Sequence, residues 1–335
     1  MILILAALND VHASAVAAAL EALGHRCRIF RGDEFPASAQ VSLSHPDGEA
    51  WVREHPDSEP LAWSQIRVVW NRRRGTPRAP AWLAEPDRDP AVRASRRVID
   101  SLRALRPEGQ IWVNDPAAGE RSDDKAWQLG FAREQGFETP ETLISNDPER
   151  IRAFVAAGPS VVKSLVPIHW QGRVAATRPI GIAQLARDRA VAACPMIYQR
   201  LVEKSHELRV VVFGAELVAC RIDSQKRAAT VTDFRIGLYA DLEVEQVELA
   251  PAVRASVLGF MRAAGLLHAS FDIAVDREGR PVFLEVNEQG QTLWIEDRNP
   301  AIRILDRLSA FLAAPHPEFR WDRVRRFAFD AEAWA

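Results

Sequence analysis

Apolar and polar positions alternate along this chain in two distinct rhythms. The opening run, residues 2–8, is almost wholly apolar and reads as a buried strand. From His12 to Leu23 the apolar residues recur at helical spacing, Gly24 supplies a stop, and Arg26–Phe30 resumes as a strand. This is a β-α-β opening. Its first turn, Leu8-Asn9-Asp10-Val11-His12, holds no glycine, so a glycine-rich pyrophosphate cradle is excluded there. Residues 31–65 are rich in Asp, Glu, Ser and Pro, with short strand-like pieces. Ile66–Trp70 is a compact apolar strand, a helix is expected over Pro90–Leu105, and Ile111–Val113 is a further short strand. Asn114-Asp115-Pro116 then breaks the pattern and marks a first domain boundary.

Beyond it, Ser122 is a candidate cap for a helix running to Gln135, with Gly136 at its end. A strand follows in Glu138–Ser145, and Asp147-Pro148 starts another helix. Strands are expected at Ser160–Leu165 and Ile197–Val202. Leu208–Phe213 and Glu216–Ile222 form a hairpin about Gly214-Ala215. Val253–Ala264 is a helix. Ser270–Val275 and Pro281–Asn287 form a second hairpin across Asp276-Arg277-Glu278-Gly279, and a last helix covers Pro300–Ala313. The 335 residues suffice for two domains, or one with lobes.

Composition narrows the function classes. A formal charge of −2 gives no basic field for nucleic acid. No apolar run is long enough to span a membrane, and the interrupted opening segment lacks the basic start of a signal peptide. Three cysteines, Cys27, Cys194 and Cys220, are far apart, which disfavours a disulfide framework or zinc and fits the cytoplasm. Only four of the 43 basic residues are lysines: Lys125, Lys163, Lys204 and Lys226. A coding bias explains the arginines; a lysine that persists against it marks a place where a compact ammonium is useful.

The second hairpin carries candidate chemistry. Strand alternation puts Phe283, Glu285 and Asn287 on one face, with Leu284 and Val286 on the other. On the partner strand Phe271, Ile273 and Val275 face the core and Asp272 faces away, opposite residues 284–285. Two carboxylates and an amide oxygen are thereby gathered together. Hard oxygens without His or Cys suit magnesium. By spacing alone, an exposed polar face of an ordinary hairpin is the stronger reading. A paired-carboxylate hydrolase is a third, in which Asn287 has no task.

The segment FDIAVDREGRPVFLEVNEQGQTLWIE resembles the metal-binding hairpin of the ATP-grasp superfamily. Other pieces match in the expected order over residues 114–312: Lys125, Lys163 in VVKSL, the hinge Tyr198–Val202, Glu207-Leu208-Arg209, and Asp233-Phe234-Arg235. A narrower resemblance covers nearly the whole chain. DVHASAVAAALEALGHRCRIFRGDEFP, VVWNRRR, VNDPAAGERSDDKAWQLGFAREQGFETPETLISNDPE and the terminal GQTLWIE are similar to the graspetide maturases, ATP-grasp ligases that act on precursors of the microviridin and plesiocin kind. These join Asp or Glu side chains of a ribosomal precursor peptide to Ser, Thr or Lys side chains.

The resemblance implies an α/β ATP-grasp fold with an N-terminal β-α-β pre-ATP-grasp domain (1–115), a lobe with phosphate-binding lysines (116–195), a lobe with the adenine hinge and metal hairpin (196–314), and a tail (315–335). It implies ATP and magnesium as cofactors. Asp272, Glu285 and Asn287 would hold the metal. Lys125 and Lys163 would grip phosphates. Gln199 and the main chain of Leu201 and Val202 would flank adenine, Glu207 would bind ribose, and Arg235 would contact phosphate while Arg209 acts on the acyl intermediate. A salt bridge between Glu207 and Arg209 is the bland alternative, as is an ordinary ion pair for either arginine. The partner implied is a precursor peptide with a leader and an acidic core, and relatives of this kind are often homodimers, for which no interface is legible.

Two departures stand out. Relatives usually have Pro after the metal Asn, where this chain has Glu288. The loop after Lys163, SLVPIHWQGRV, has one glycine, so phosphate closure would fall to side chains. Arg72, Arg73 and Arg74 are either a solvated charge run or a receptor for acidic peptide. His12 and His268 read as helix or loop residues rather than catalytic bases. Two other functions remain open: a ligase adding a free amino acid to a protein or small molecule, like the ribosomal-protein glutamate ligases, and an ATP-binding regulatory protein without catalysis.

Overall fold

The computed structural model describes residues 1–166, 169–170, 173–174, 176–227, 230–237, 242–324 and 326–329. The opening apolar run becomes the strand Ile2–Ala6, buried at every position. It pairs in parallel with Cys27–Arg31 on one side and with Val68–Asn71 on the other, and Ile111–Val113 extends the sheet beyond Val68–Asn71. Burial on both faces is why Ile2–Ala6 and Val68–Asn71 read as nearly unbroken apolar runs. The helix Val11–Ala22 is started by Asp10, whose side chain accepts from the Ala13 amide at 3.0 Å. The second crossover helix spans Glu85–Ala104, starting before the expected Pro90. Pro86 lies in its first turn, where a missing N–H costs nothing, and Glu85 and Asp87 suit the positive end of the helix.

Strand order in this sheet reverses between Ile2–Ala6 and Val68–Asn71. The carboxyl ends of two such strands bound the crevice where open α/β sheets usually take a ligand. The acidic segment after the second strand folds into a small antiparallel meander, Gln40–Leu43, Ala50–Arg53 and Leu61–Ala62.

Two more sheets follow. One is antiparallel, in the order Arg178–Ile180, Ser160–Lys163, Met196–Arg200, Thr142–Ser145, backed by the helix Pro148–Ala156. The other has five strands: Val244–Val247, Glu216–Ile222, Lys204–Phe213, His268–Asp276 and Pro281–Asn287. Its one face, with Val210, Val212, Phe271 and Phe283, packs under the helix Pro251–Ala264. Its other face, with Val211, Phe213, Val218 and Cys220, shares a core with the helices Val11–Ala22 and Ile304–Ala313. The five-stranded sheet and the N-terminal one thus share a core, with the helix Ile304–Ala313 in contact with both.

Two helices differ from expectation. Ser122 does not cap: it is buried near the end of the short helix Pro116–Asp123, and Asp124 starts a separate helix, Lys125–Glu134, by accepting from the amides of Ala126 and Trp127. The last expected helix, Pro300–Ala313, forms over Ile304–Ala313, and a short helix that was not expected, Leu293–Arg298, precedes it. Among the described residues no helix is long and apolar enough to cross a membrane.

Candidate active site

Asp272 and Glu285 are direct cross-strand partners, but Ile273 pairs with Phe283, so Leu284 is an extra residue in the ladder. This bulge corrects the alternation expected for the strand. Phe283 does not share a face with Glu285. It is fully buried beside Phe137 and Phe260, on the core side with Val286. Leu284 instead joins Glu285 in lining a cleft between the two later sheets. Asn287 closes the group: its Nδ2 lies 3.4 Å from Asp272 Oδ2 and 3.3 Å from Glu285 Oε1.

Cations from four elements converge on these carboxylates. Arg209 stands opposite Asp272 on the neighbouring strand, and its Nη1 donates to Asp272 Oδ1 at 2.6 Å. Lys125 is the first residue of its helix, where the macrodipole opposes a positive charge, and it is offset by Glu285 Oε2 at 3.4 Å. Arg235 is held two-pronged by Asp233, both contacts 2.8 Å, and reaches Glu285 Oε1 at 3.3 Å. Lys163 ends its strand among the same charges, with burial pushing its ammonium below the ordinary value against the pull of Glu285. Burial also raises Asp272, more than Arg209 lowers it. Burial works on Glu285 too, but Lys125, Arg235 and Lys163 outweigh it and hold this carboxyl well below the usual range. Two neighbouring acids are thus driven apart, the pattern of a built charge site.

The cleft is also lined by Gln199, Leu201 and Val202, and by Glu207 on the strand of Arg209. Gln199 is buried and donates to Thr142 Oγ1 at 2.8 Å. The Leu201 amide is already used by the Pro159 carbonyl at 3.0 Å, so only its carbonyl is left to read a ligand edge, which narrows the hinge expectation. Glu207 does not pair with Arg209: Lys204 bonds it at 2.8 Å, and burial raises its carboxyl. In the 164–174 loop, on which phosphate closure was expected to depend, residues 169–170 pair antiparallel with 173–174, while 167, 168, 171 and 172 lie outside the described residues, as does part of the tail.

Sequence reasoning missed three side chains that fix this arrangement. Gln128, one turn beyond Lys125, donates to Val286 O at 2.9 Å and accepts from Val286 N at 3.1 Å, stitching the lysine's helix to the Glu285 strand. Its position three residues after Lys125, on the same helical face, was the available signal. Asn114 accepts from the Leu267 and His268 amides and donates to the carbonyls of His268 and Glu288. Asp10 pairs with Arg72 at 3.3 Å. The basic run is not a single solvated or peptide-receiving face. Arg72 is fully buried and bonds the carbonyls of Gln289 and Gly290, Arg74 pairs with Asp100 at 2.9 Å, and Arg73 alone is exposed. His12 accepts the Thr292 and Leu293 amides through Nε2, each at 3.1 Å, and His268 bonds Val212 O at 2.8 Å. His12 is half-buried at the start of its helix, as expected of a helix residue, whereas His268 is buried in the strand His268–Asp276 rather than in a helix or loop. Glu288 turns from the cleft toward Asn114 and Gly119, and burial pushes it up to about 7.

A cleft that joins residues 199–202 to four cations and two carboxylates fits a nucleotide carried with a divalent ion. Comparison with known proteins agrees. Residues 122–308 match the model of the RimK-like ATP-grasp domain. A protein named "Probable alpha-L-glutamate ligase 2" from Shewanella amazonensis is 27% identical over 226 residues, 64% of this chain and 73% of that one. A RiPP-associated ATP-grasp ligase of Chryseobacterium gregarium, solved with ADP and a leader and core peptide, is 25% identical with a TM-score of 0.82, covering 94% of this chain and 97% of that one. The macrocyclase MdnC of Microcystis aeruginosa, bound to precursor peptide MdnA, gives the same TM-score at 24% identity over 93% and 98% of the two chains. The fold is that of an ATP-grasp ligase. The chain belongs to the RimK-like ATP-grasp family, whose ligases use ATP and magnesium.

The residues present fit such an ion. Among the described residues no three His, Cys, Asp or Glu side chains form a complete metal shell. Two carboxylates and one amide, all hard and convergent, leave places that magnesium fills with water and phosphate oxygens.

Proposed function

We propose that this enzyme closes rings in a ribosomal precursor peptide. A side-chain carboxylate of Asp or Glu in the peptide's acidic core attacks the γ-phosphorus of ATP, ADP leaves, and an acyl phosphate forms. A Ser or Thr hydroxyl or a Lys amine of the same peptide then attacks the carbonyl. Inorganic phosphate departs, a proton is lost, and an ester or amide closes the ring. One observation carries this reading: the likeness to the peptide-bound Chryseobacterium ligase extends over 94% of the chain, N-terminal sheet included, whereas the glutamate-ligase match covers 64%.

On this reading Asp272, Glu285 and Asn287 hold magnesium, which offsets charge on the transferring phosphoryl group. Lys125, Lys163 and Arg235 meet phosphate oxygens; each is already poised at Glu285, so a nucleotide enters a field prepared for anions. Arg209 faces the acyl centre from beside Asp272. Gln199, Leu201 and Val202 flank adenine, the Val202 N–H having no partner among the described residues. Glu207, held by Lys204, takes the ribose hydroxyls. Residues 1–115 form the pre-ATP-grasp unit, with lobes at 116–195 and 196–314.

The test is ADP release by the purified enzyme with magnesium and ATP, with and without a short acidic precursor peptide. Stimulation by the peptide, with loss of one water per ring in its mass, supports the proposal. Stimulation by free glutamate alone supports the glutamate-ligase reading that the named relatives favour.

A further inference from the structure

The crevice at the strand-order reversal of the N-terminal sheet is where an open α/β sheet ordinarily binds a ligand. Here it is filled by Glu288–Leu293, the segment that leaves the Asn287 end of the acidic strand. Arg72, at the end of Val68–Asn71, donates through one nitrogen to the carbonyls of Gln289 and Gly290, the latter at 2.5 Å. His12, at the start of Val11–Ala22, receives two amides of the same segment. Asn114 holds the Glu288 carbonyl at 3.0 Å. From the far side, Arg209 Nη2 reaches the Gln291 carbonyl at 3.4 Å while its Nη1 holds Asp272.

Burying a guanidinium completely is costly, and two of the Arg72 nitrogens have no hydrogen-bond partner, with Asp10 balancing the charge at 3.3 Å. An interface needing only adhesion would use apolar contacts there. One buried guanidinium nitrogen bonds two successive carbonyls while Nε stands 3.3 Å from Asp10, which ties the backbone two and three residues beyond Asn287 to the N-terminal sheet; a lysine, a single point charge, cannot serve both sides at once.

We propose that Arg72 and His12 are positioning residues for catalysis: they set where Asn287 and Arg209 stand relative to Asp272 by fixing the segment between them. This rests on the reading of Asp272, Glu285 and Asn287 as metal ligands. Neither residue touches the reacting groups, and their effect runs through the 288–293 segment.

The test uses the full chain, with binding of Mn²⁺·ADP followed by calorimetry and by the Mn²⁺ resonance signal, beside kcat and KM for Mg·ATP. Arg72→Lys and His12→Gln should fold, weaken Mn²⁺·ADP about tenfold or more, as losses around metal ligands do, and lower kcat more than they raise KM. Metal-free ADP should bind as before. Asn287→Ala combined with Arg72→Lys should lose little beyond Asn287→Ala alone, because both act on one ligand. Folded variants with native Mn²⁺·ADP affinity and native kcat overturn the inference, as does a fully additive double variant. Should Arg72→Lys fail to fold, His12→Gln decides by the same readouts. Glu285→Ala separates the two claims: if it leaves Mn²⁺·ADP affinity unchanged, the metal reading itself is wrong.

Discussion

Arg209 and Asp272 stand directly opposite each other on adjacent strands and meet at 2.6 Å inside the protein, both nearly free of solvent contact. A pair so placed is not there for stability, since apolar residues of like size commonly serve as well. Removing one member is different. Arg209→Met leaves the Asp272 carboxylate buried without its partner and should cost about 3 kcal/mol in urea unfolding. Adding Asp272→Asn should recover most of that loss while activity stays absent. Equal stability of Arg209→Met and the wild type would show the pair to be solvated.

Glu285 is the point on which Lys125, Lys163 and Arg235 all act. Glu285→Ala should reduce ADP formation by at least about a thousandfold, the scale seen when one preorganised charge of a reacting site is lost. Circular dichroism should stay native. Undiminished turnover would remove the metal assignment.

Gln128 joins the helix of Lys125 to both polar groups of Val286. Gln128→Leu leaves that N–H and C=O buried and unbonded, and should cost about 2–3 kcal/mol. It should also raise KM for ATP, because Lys125 loses its register with Glu285. Amide exchange at Val286 reads the local effect: unchanged protection would mean that the side-chain bonds are dispensable.

His268 is fully buried, and burial lowers its pKa to about 4. The unfolded chain, near 6.5, takes up the proton first. Stability from this residue is therefore complete above about pH 6.5 and is lost as pH falls toward 4, on the order of 3 kcal/mol over that window. His268→Gln should lower the slope of unfolding free energy with pH between those values, leaving the opposite slope that Glu288, raised to about 7, gives above about pH 4.5. An unchanged slope would assign the acid sensitivity to other groups.

Much of the architecture was legible because burial patterns are local. Ile2–Ala6 and Val68–Asn71 sit between two layers and so read as continuous apolar runs, and the Asp272–Glu285 pairing followed from turn position alone. What stayed hidden is long-range. The bulge at Leu284 breaks the alternation from which faces are inferred, so Phe283 was placed on the wrong one. Arg72 read as part of a charge run because its acceptors lie 217 and 218 residues away. Gln128 and Asn114 likewise bond strands 158 and 154 residues distant, and nothing in their own neighbourhoods announces it. Ser122 and Asp124 both suit a helix start, and only the preceding short helix decides between them.

The central claim is that a peptide carboxylate is activated and captured within the same peptide. The most direct measurement is the intact mass of a short Ser/Thr- and Asp/Glu-rich precursor peptide after incubation with enzyme, magnesium and ATP, with ADP counted in parallel. The account predicts one water lost and one ADP formed for each ring. An added glutamate on any acceptor, or ATP bound with no ADP formed, would contradict it.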